Sequence, residues 1–172
     1  KGLIENPGKY RTRDVGIVQG SNLAHIAPAS VNVPSLMKNL FEYLRTDDEL
    51  TLIKSCVFHY EMEFIHPFID GNGRMGRLWL TLILMREYPV FEHRTFETLI
   101  NQTQDEYYNA LAESDKLGNS TIFIEYMLDV ILKSLEDIIN FNNRILSGQD
   151  RLEYFISLGF NEFSRKDYMN IF

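Results

Sequence analysis

Apolar residues recur at helical spacing along most of this chain. Leu36, Met37, Leu40, Phe41 and Leu44 form one stripe after Asn32-Val33-Pro34, which predicts a core helix with proline near its first position. From Asp48 to Ile65, Leu52, Cys56, Val57, Tyr60 and Phe64 predict a second helix, with Asp47 or Asp48 as its cap. Pro67 ends it, having no N–H to donate and disfavouring the α region at the residue before it. A third apolar helix runs through Leu78–Met85 and stops at Arg86-Glu87-Tyr88-Pro89. Thr95 to Ser114 reads as one amphipathic segment, with Phe96, Leu99, Ile100, Tyr107, Tyr108 and Leu111 apolar. After the break at Gly118-Asn119-Ser120, Thr121 to Leu146 is long and strongly apolar, and is expected to cross the centre of a bundle.

The ends read differently. Lys1 to Gly8 is a polar loop, and between Tyr10 and Ile26 two short β-prone runs flank Gly20-Ser21-Asn22, a hairpin signal. Ser147-Gly148-Gln149 reads as a linker, and Arg151 to Phe172 as two short helices with Ser164 capping the second. The pattern predicts an all-α bundle of five or six helices with one small β-hairpin. Because βαβ alternation is missing, a nucleotide site on a Rossmann-like sheet is excluded.

Candidate chemistry collects in one stretch, His66-Pro67-Phe68-Ile69-Asp70-Gly71-Asn72-Gly73-Arg74-Met75-Gly76-Arg77. Gly71 and Gly73 allow positive φ, so successive N–H groups can converge at the N-terminus of the third helix, where free amides and the dipole favour an anion. Arg74 and Arg77, three apart on the first turn, can reach the same polyphosphate through bidentate guanidinium contacts. Asp70 can hold Mg²⁺, which takes oxygen ligands and shares them with substrate phosphates. His66 titrates near neutrality and can take the proton of an incoming hydroxyl. Taken singly, Gly-Asn-Gly is a turn, two arginines at this spacing are a solvated face, and a histidine before proline is structural. The ordered set is what points to chemistry. A rival reading places a transition metal on His59, Glu63 and His66 at i, i+4, i+7 of the second helix. Pro67 distorts that last turn, and no partner motif recurs, so His59 is expected to pack in the core and orient the loop.

The same twelve residues resemble, position for position, the Fic family motif HxFx[D/E]GNGRxxR. The resemblance implies a protein adenylyltransferase that moves AMP from ATP to a Ser, Thr or Tyr hydroxyl of a target protein or of itself. It makes His66 the base, Phe68 the buried anchor of the loop and Asp70 the Mg²⁺ ligand. Gly71, Asn72 and Gly73 become the anion hole for the α- and β-phosphates, and Arg74 and Arg77 hold the phosphate tail. An intact GNGR portion favours AMP over phosphate transfer. The resemblance further implies a Fic domain over residues 1–147, with a flap hairpin at about 12–27, where Tyr-Arg and Val-Gly-Ile are similar to the family's wording, and a motif loop at 66–77. Target peptides would pair with the flap edge, and Tyr107 or Tyr108 would meet the adenine. Residues 148–172 resemble, more faintly, the opening of a winged-helix module, the one place through which DNA enters the reading. Fic enzymes are commonly restrained by an [S/T]xxxE[G/N] helix whose glutamate pairs with the second motif arginine, here Arg77. That pattern does not occur in the sequence, so the expected inhibitory helix lies upstream of Lys1 or on a separate antitoxin, and a longer chain carrying it should be less active. The alternatives kept are a nucleotide-binding regulatory module linked to DNA binding, and a Fic enzyme with another donor or with de-AMPylating activity.

Composition narrows the setting. The chain has 172 residues, 45% of them hydrophobic and 24% charged, which is enough for one domain with a proper core. A net charge of −7 argues against a surface built as a nucleic-acid footprint. The single cysteine, Cys56, lies in an apolar helix, reads as a small buried hydrophobe and fits a reducing cytoplasm. The longest apolar run, Leu78 to Met85, is far short of a membrane span. No signal peptide is visible, and the start at Lys1 and the end in mid-pattern read as a fragment of a longer protein.

Overall fold

The computed structural model describes residues 8–19, 22–92, 96–145, 147–158 and 164–171. A two-stranded antiparallel hairpin, β1 (Gly16–Gln19) and β2 (Asn22–Ile26), comes first; Ile17 faces His25, and a bulge follows Ile17. Its turn residues, Gly20 and Ser21, lie outside the described residues. Among the described residues eight α-helices follow: α1 (Val33–Thr46), α2 (Thr51–Ile65), α3 (Asn72–Glu87), α4 (Glu97–Gln102), α5 (Gln104–Leu117), α6 (Thr121–Ile145), α7 (Gly148–Ser157) and α8 (Arg165–Ile171). Three-residue 3₁₀ turns precede α1 and follow α3. The helical bundle with a hairpin is as expected, with more and shorter helices than the five or six counted from periodicity.

The chain divides into two compact units, residues 1–131 and 132–172. In the first, α2 occupies the middle. Ser55, Cys56, Phe58, His59, Tyr60, Met62 and Ile65 are all buried, so apolar contact surrounds it rather than lining one face. That central place had been expected for the helix beginning at Thr121, whose buried set within this unit is the stripe Phe123, Met127, Val130 and Ile131. Val33, Met37 and Leu40 of α1 pack with Phe58, Met62 and Ile65 of α2 and Ile83 of α3. The rings of Phe41, Phe58 and Trp79 close this layer at centroid separations of 5.2–5.5 Å. In the second unit, Ser147 and Asp150 form a capping box at the start of α7, and Phe155 packs its ring on Tyr168 of α8 at 5.3 Å. Cys56 is buried, which pushes its thiol up to about 12.

Three local expectations are corrected. Asp47 is the C-terminal cap of α1, and α2 starts at Thr51 behind Leu50, with no aspartate at its cap. The single segment expected over 95–114 is two helices, because Thr103 leaves the α conformation between α4 and α5. Ser147-Gly148-Gln149 is no linker: Ser147 is an N-cap and the other two residues open α7.

Candidate active site

Helix α2 ends at Ile65, and His66 takes the left-handed conformation at φ 49°, the one non-glycine positive φ among the described residues. Such a residue costs on the order of 1–3 kcal/mol, so its surroundings must over-determine it. The His66 N–H donates to the Met62 carbonyl at 3.1 Å, and its Nδ1 lies 3.4 Å from the Glu63 carbonyl, which leaves Nε2 as the proton acceptor. Burial holds its pKa below the ordinary histidine value, and the charges of His25 and Arg11 push the same way against the Glu63 carbonyl. Neutral imidazole, the form that can accept a proton, is therefore favoured near pH 7.

Beyond His66 the loop is stapled by one side chain. Asn72 is buried; its Oδ1 accepts from the Phe68 N–H and its Nδ2 donates to the Phe68 carbonyl, each at 2.9 Å. Phe68 is half-buried against the core layer and packs on Tyr10 at 5.8 Å. Gly71 then takes φ 86°, and no side chain caps the N-terminus of α3. The first-turn amides stand open beside Gly71 and Gly73, the arrangement that binds anions.

The two motif arginines part company. Arg74 is exposed, with its Nη2 3.4 Å from Oδ2 of an equally exposed Asp70. Arg77 is mostly buried and chelated by Glu97 of α4, Nε donating to Oε2 at 2.5 Å and Nη2 to Oε1 at 2.8 Å. Glu97 is outside the inhibitory pattern sought in the sequence, so a carboxylate on Arg77 from within residues 1–172 was not foreseen. Asp70 offers the oxygen chemistry Mg²⁺ takes, but no third acidic or histidine ligand gathers with it among the described residues. The ion would fit there only with waters and nucleotide phosphates as its other ligands.

Beneath Arg77 lies a buried polar cluster. His59 is wholly enclosed, its Nε2 3.1 Å from the Tyr107 hydroxyl and 3.8 Å from Glu63 Oε1. Burial drives His59 down to about 3 and lifts Glu63 to about 7, with the Arg77 charge favouring ionised Glu63. Glycine at 76 is what lets α3 approach this cluster, since a Cβ there would meet His59 Cδ2 at 2.7 Å and Glu63 Oε1 at 2.8 Å. His59 is thus the core residue expected, and the three-residue metal site is not assembled. Tyr107 is 3% exposed and belongs to the cluster. Tyr108, 36% exposed, lines an open cavity with Ile17 and His25 of the hairpin, Glu63 and His66.

Two residues with clear work in this site had escaped the pattern. Glu97 lies twenty positions beyond its partner, and Arg11 holds backbone carbonyls 54 and 55 positions away. The Tyr-Arg wording was the only trace of Arg11, and nothing in spacing marked Glu97.

The Fic/DOC family model matches residues 1–84. A probable protein adenylyltransferase of Aquifex aeolicus is 32% identical over 114 residues, covering 64% of this chain and 32% of that protein. Protein adenylyltransferase fic-1 of Caenorhabditis elegans is 34% identical over 126 residues, covering 70% of this chain and 22% of its own length. The solved structure of a Fic family protein from Desulfovibrio desulfuricans superposes with a TM-score of 0.78 at 40% identity, covering 99% of this chain and 52% of that one. The chain therefore spans about a third or less of these two curated relatives and about half of the solved one.

Proposed function

Through residues 1–84 the chain belongs to the Fic/DOC family, and from that premise we propose that it transfers AMP from ATP to a hydroxyl of a protein. The observation that carries the reading is a neutral, left-handed His66 set beside the uncapped N-terminus of α3. The α- and β-phosphates lie on the amides of Gly71, Asn72 and Gly73, and Arg74 and Arg77 take the tail once Glu97 releases Arg77. A Ser, Thr or Tyr oxygen attacks the α-phosphorus while His66 Nε2 accepts its proton. The bond to pyrophosphate breaks as the new P–O bond forms, leaving a phosphodiester on the target. Asp70 would hold Mg²⁺ together with phosphate oxygens, and the ion would supply charge neutralisation there. The protein's own contribution is positioning and preorganised charge, the main means of catalysis in such transfers. The cavity under the hairpin takes the adenine against Tyr108, and the target strand pairs with the hairpin's free edge, a mode that is largely blind to side chains. One buried cysteine and the want of any described helix long and apolar enough to cross a membrane support a cytoplasmic site of action.

Incubation with α-³²P-ATP and Mg²⁺ should label protein, with no label from γ-³²P-ATP and none in His66→Ala. Label from the γ-phosphate would reassign the reaction as phosphate transfer. ATP binding without label from either position, with a broad panel of candidate targets present, would favour a regulatory module.

A further inference from the structure

The last carbonyls of an α-helix have no partners within it and must find them elsewhere. At the end of α2 the carbonyls of Phe64 and Ile65, with those of His66 and Pro67 just beyond it, are met from the hairpin segment. The Phe64 carbonyl lies 2.9 Å from His25 Nε2, Ile65 accepts from Arg11 Nη2 at 3.3 Å, His66 from Arg11 Nε at 2.8 Å, and Pro67 from the Arg11 backbone N–H at 2.8 Å. Arg11 is 3% exposed and spends the rest of its fork on the Arg13 carbonyl, at 2.9 Å, and on that of Pro28. One guanidinium thus binds the chain before β1, the chain after β2 and the end of the base-bearing helix. Its charge also sits at a helix C-terminus, where the dipole favours a cation. His25 reinforces the joint from β2, its Nδ1 2.6 Å from Asp115 of α5.

We propose that Arg11 is a positioning residue for His66. Its guanidinium takes up carbonyls that the left-handed cap at His66 leaves open, fixes the carbonyl of that strained residue, and makes the stem of the hairpin and the base one rigid piece. A target strand seated on the hairpin is then held in register with Nε2 of His66, while the phosphate cradle at 71–77 is built independently of Arg11. Only a planar fork reaches carbonyls in three directions; an ammonium on a flexible stem does not. The assignment rests on AMP transfer for its kinetic consequence and on geometry alone for the structural one.

The test compares wild type with Arg11→Lys and Arg11→Gln, measuring ATP affinity by calorimetry, AMP transfer, and amide exchange. Arg11→Lys should bind ATP as wild type does while kcat falls roughly 100-fold, the scale of a small misplacement of a reacting group. Exchange at the His66 amide, now bonded to Met62, and through β1 and β2 should quicken in both variants. In Arg11→Gln the loss of a nearby positive charge should also raise the His66 imidazole titration followed by NMR. Lysine restoring wild-type kcat, or exchange unchanged at His66, would overturn the proposal. So would a loss of kcat matched by an equal loss of ATP affinity. If wild type transfers no AMP, the functional reading fails, and His66 exchange and titration still decide the role of Arg11. Should Arg11→Gln not fold, His25→Gln, which breaks the same joint from β2, must quicken exchange at β2 and at His66.

Discussion

Arg77 shows how much a single contact changes what a motif residue can do. One edge of its guanidinium, Nε and Nη2, is engaged by Glu97, in the bidentate geometry a phosphate tail would use. Nucleotide and Glu97 cannot both hold that edge. Glu97 is about half exposed, so the pair is screened and belongs at the upper end of the range for surface ion pairs, up to about 1 kcal/mol. Glu97→Gln should accordingly tighten ATP binding roughly two- to fivefold in calorimetry, with a smaller gain at high salt. Equal affinity in the two proteins would mean that Glu97 and the nucleotide do not compete. The contrast with Arg74 explains what could be read beforehand. His66, Asp70, Gly71, Asn72, Gly73, Arg74 and Arg77 are recognisable in sequence because local chemistry defines them. That Asn72 turns its side chain onto Phe68, and that Arg77 turns away to a helix twenty residues on, depends on packing no local pattern carries.

The contact between α2 and α3 is the element-scale counterpart, and Gly76 decides it. Two effects oppose each other for Gly76→Ala. In the middle of a helix alanine is better than glycine by about 1 kcal/mol. Against that, its Cβ would sit 2.7 Å from Cδ2 of the wholly enclosed His59 and 2.8 Å from Glu63 Oε1, so His59 in particular has no room to give way. Overpacking of this kind costs about 1–3 kcal/mol, so the clash should win and the urea midpoint should fall with the slope unchanged. A midpoint at or above that of wild type would show that the helices separate freely. Helices were legible where one stripe of apolar residues met water, as in α1. They were less so where burial surrounds the helix, as in α2, and at caps set by geometry, as at Ser147 and Thr103, whose residue types suit loops equally well. The hairpin was visible from its turn residues; its joint to His66 was not, since carbonyls leave no mark on sequence.

At the scale of the molecule, the buried cluster ties stability to pH in two opposing directions. His59, driven from 6.5 to about 3, binds fewer protons folded than unfolded, so it withdraws stability as pH falls below 6.5. Glu63 moves the other way. Its folded pKa of about 7 lies above its usual 4.5, so the folded chain holds a proton the unfolded chain has lost, and stability declines as pH rises from 4.5 through 7. Glu63→Gln removes that second slope while keeping a shape close to the protonated acid. The variant should match wild type near pH 4.5 and exceed it increasingly up to pH 8, where the difference levels off on the order of 3 kcal/mol by the usual conversion of pKa shift to free energy. Urea denaturation of both proteins at pH 5 and pH 8 measures the gap directly. A gap of equal size at the two pH values would mean that Glu63 is ionised in the folded protein throughout, held so by Arg77. The cluster would then be an ion pair beneath the phosphate cradle rather than a neutral acid. In that event Glu63 would join Glu97 in drawing on the same guanidinium, and ATP should bind more tightly to Glu63→Gln at both pH values.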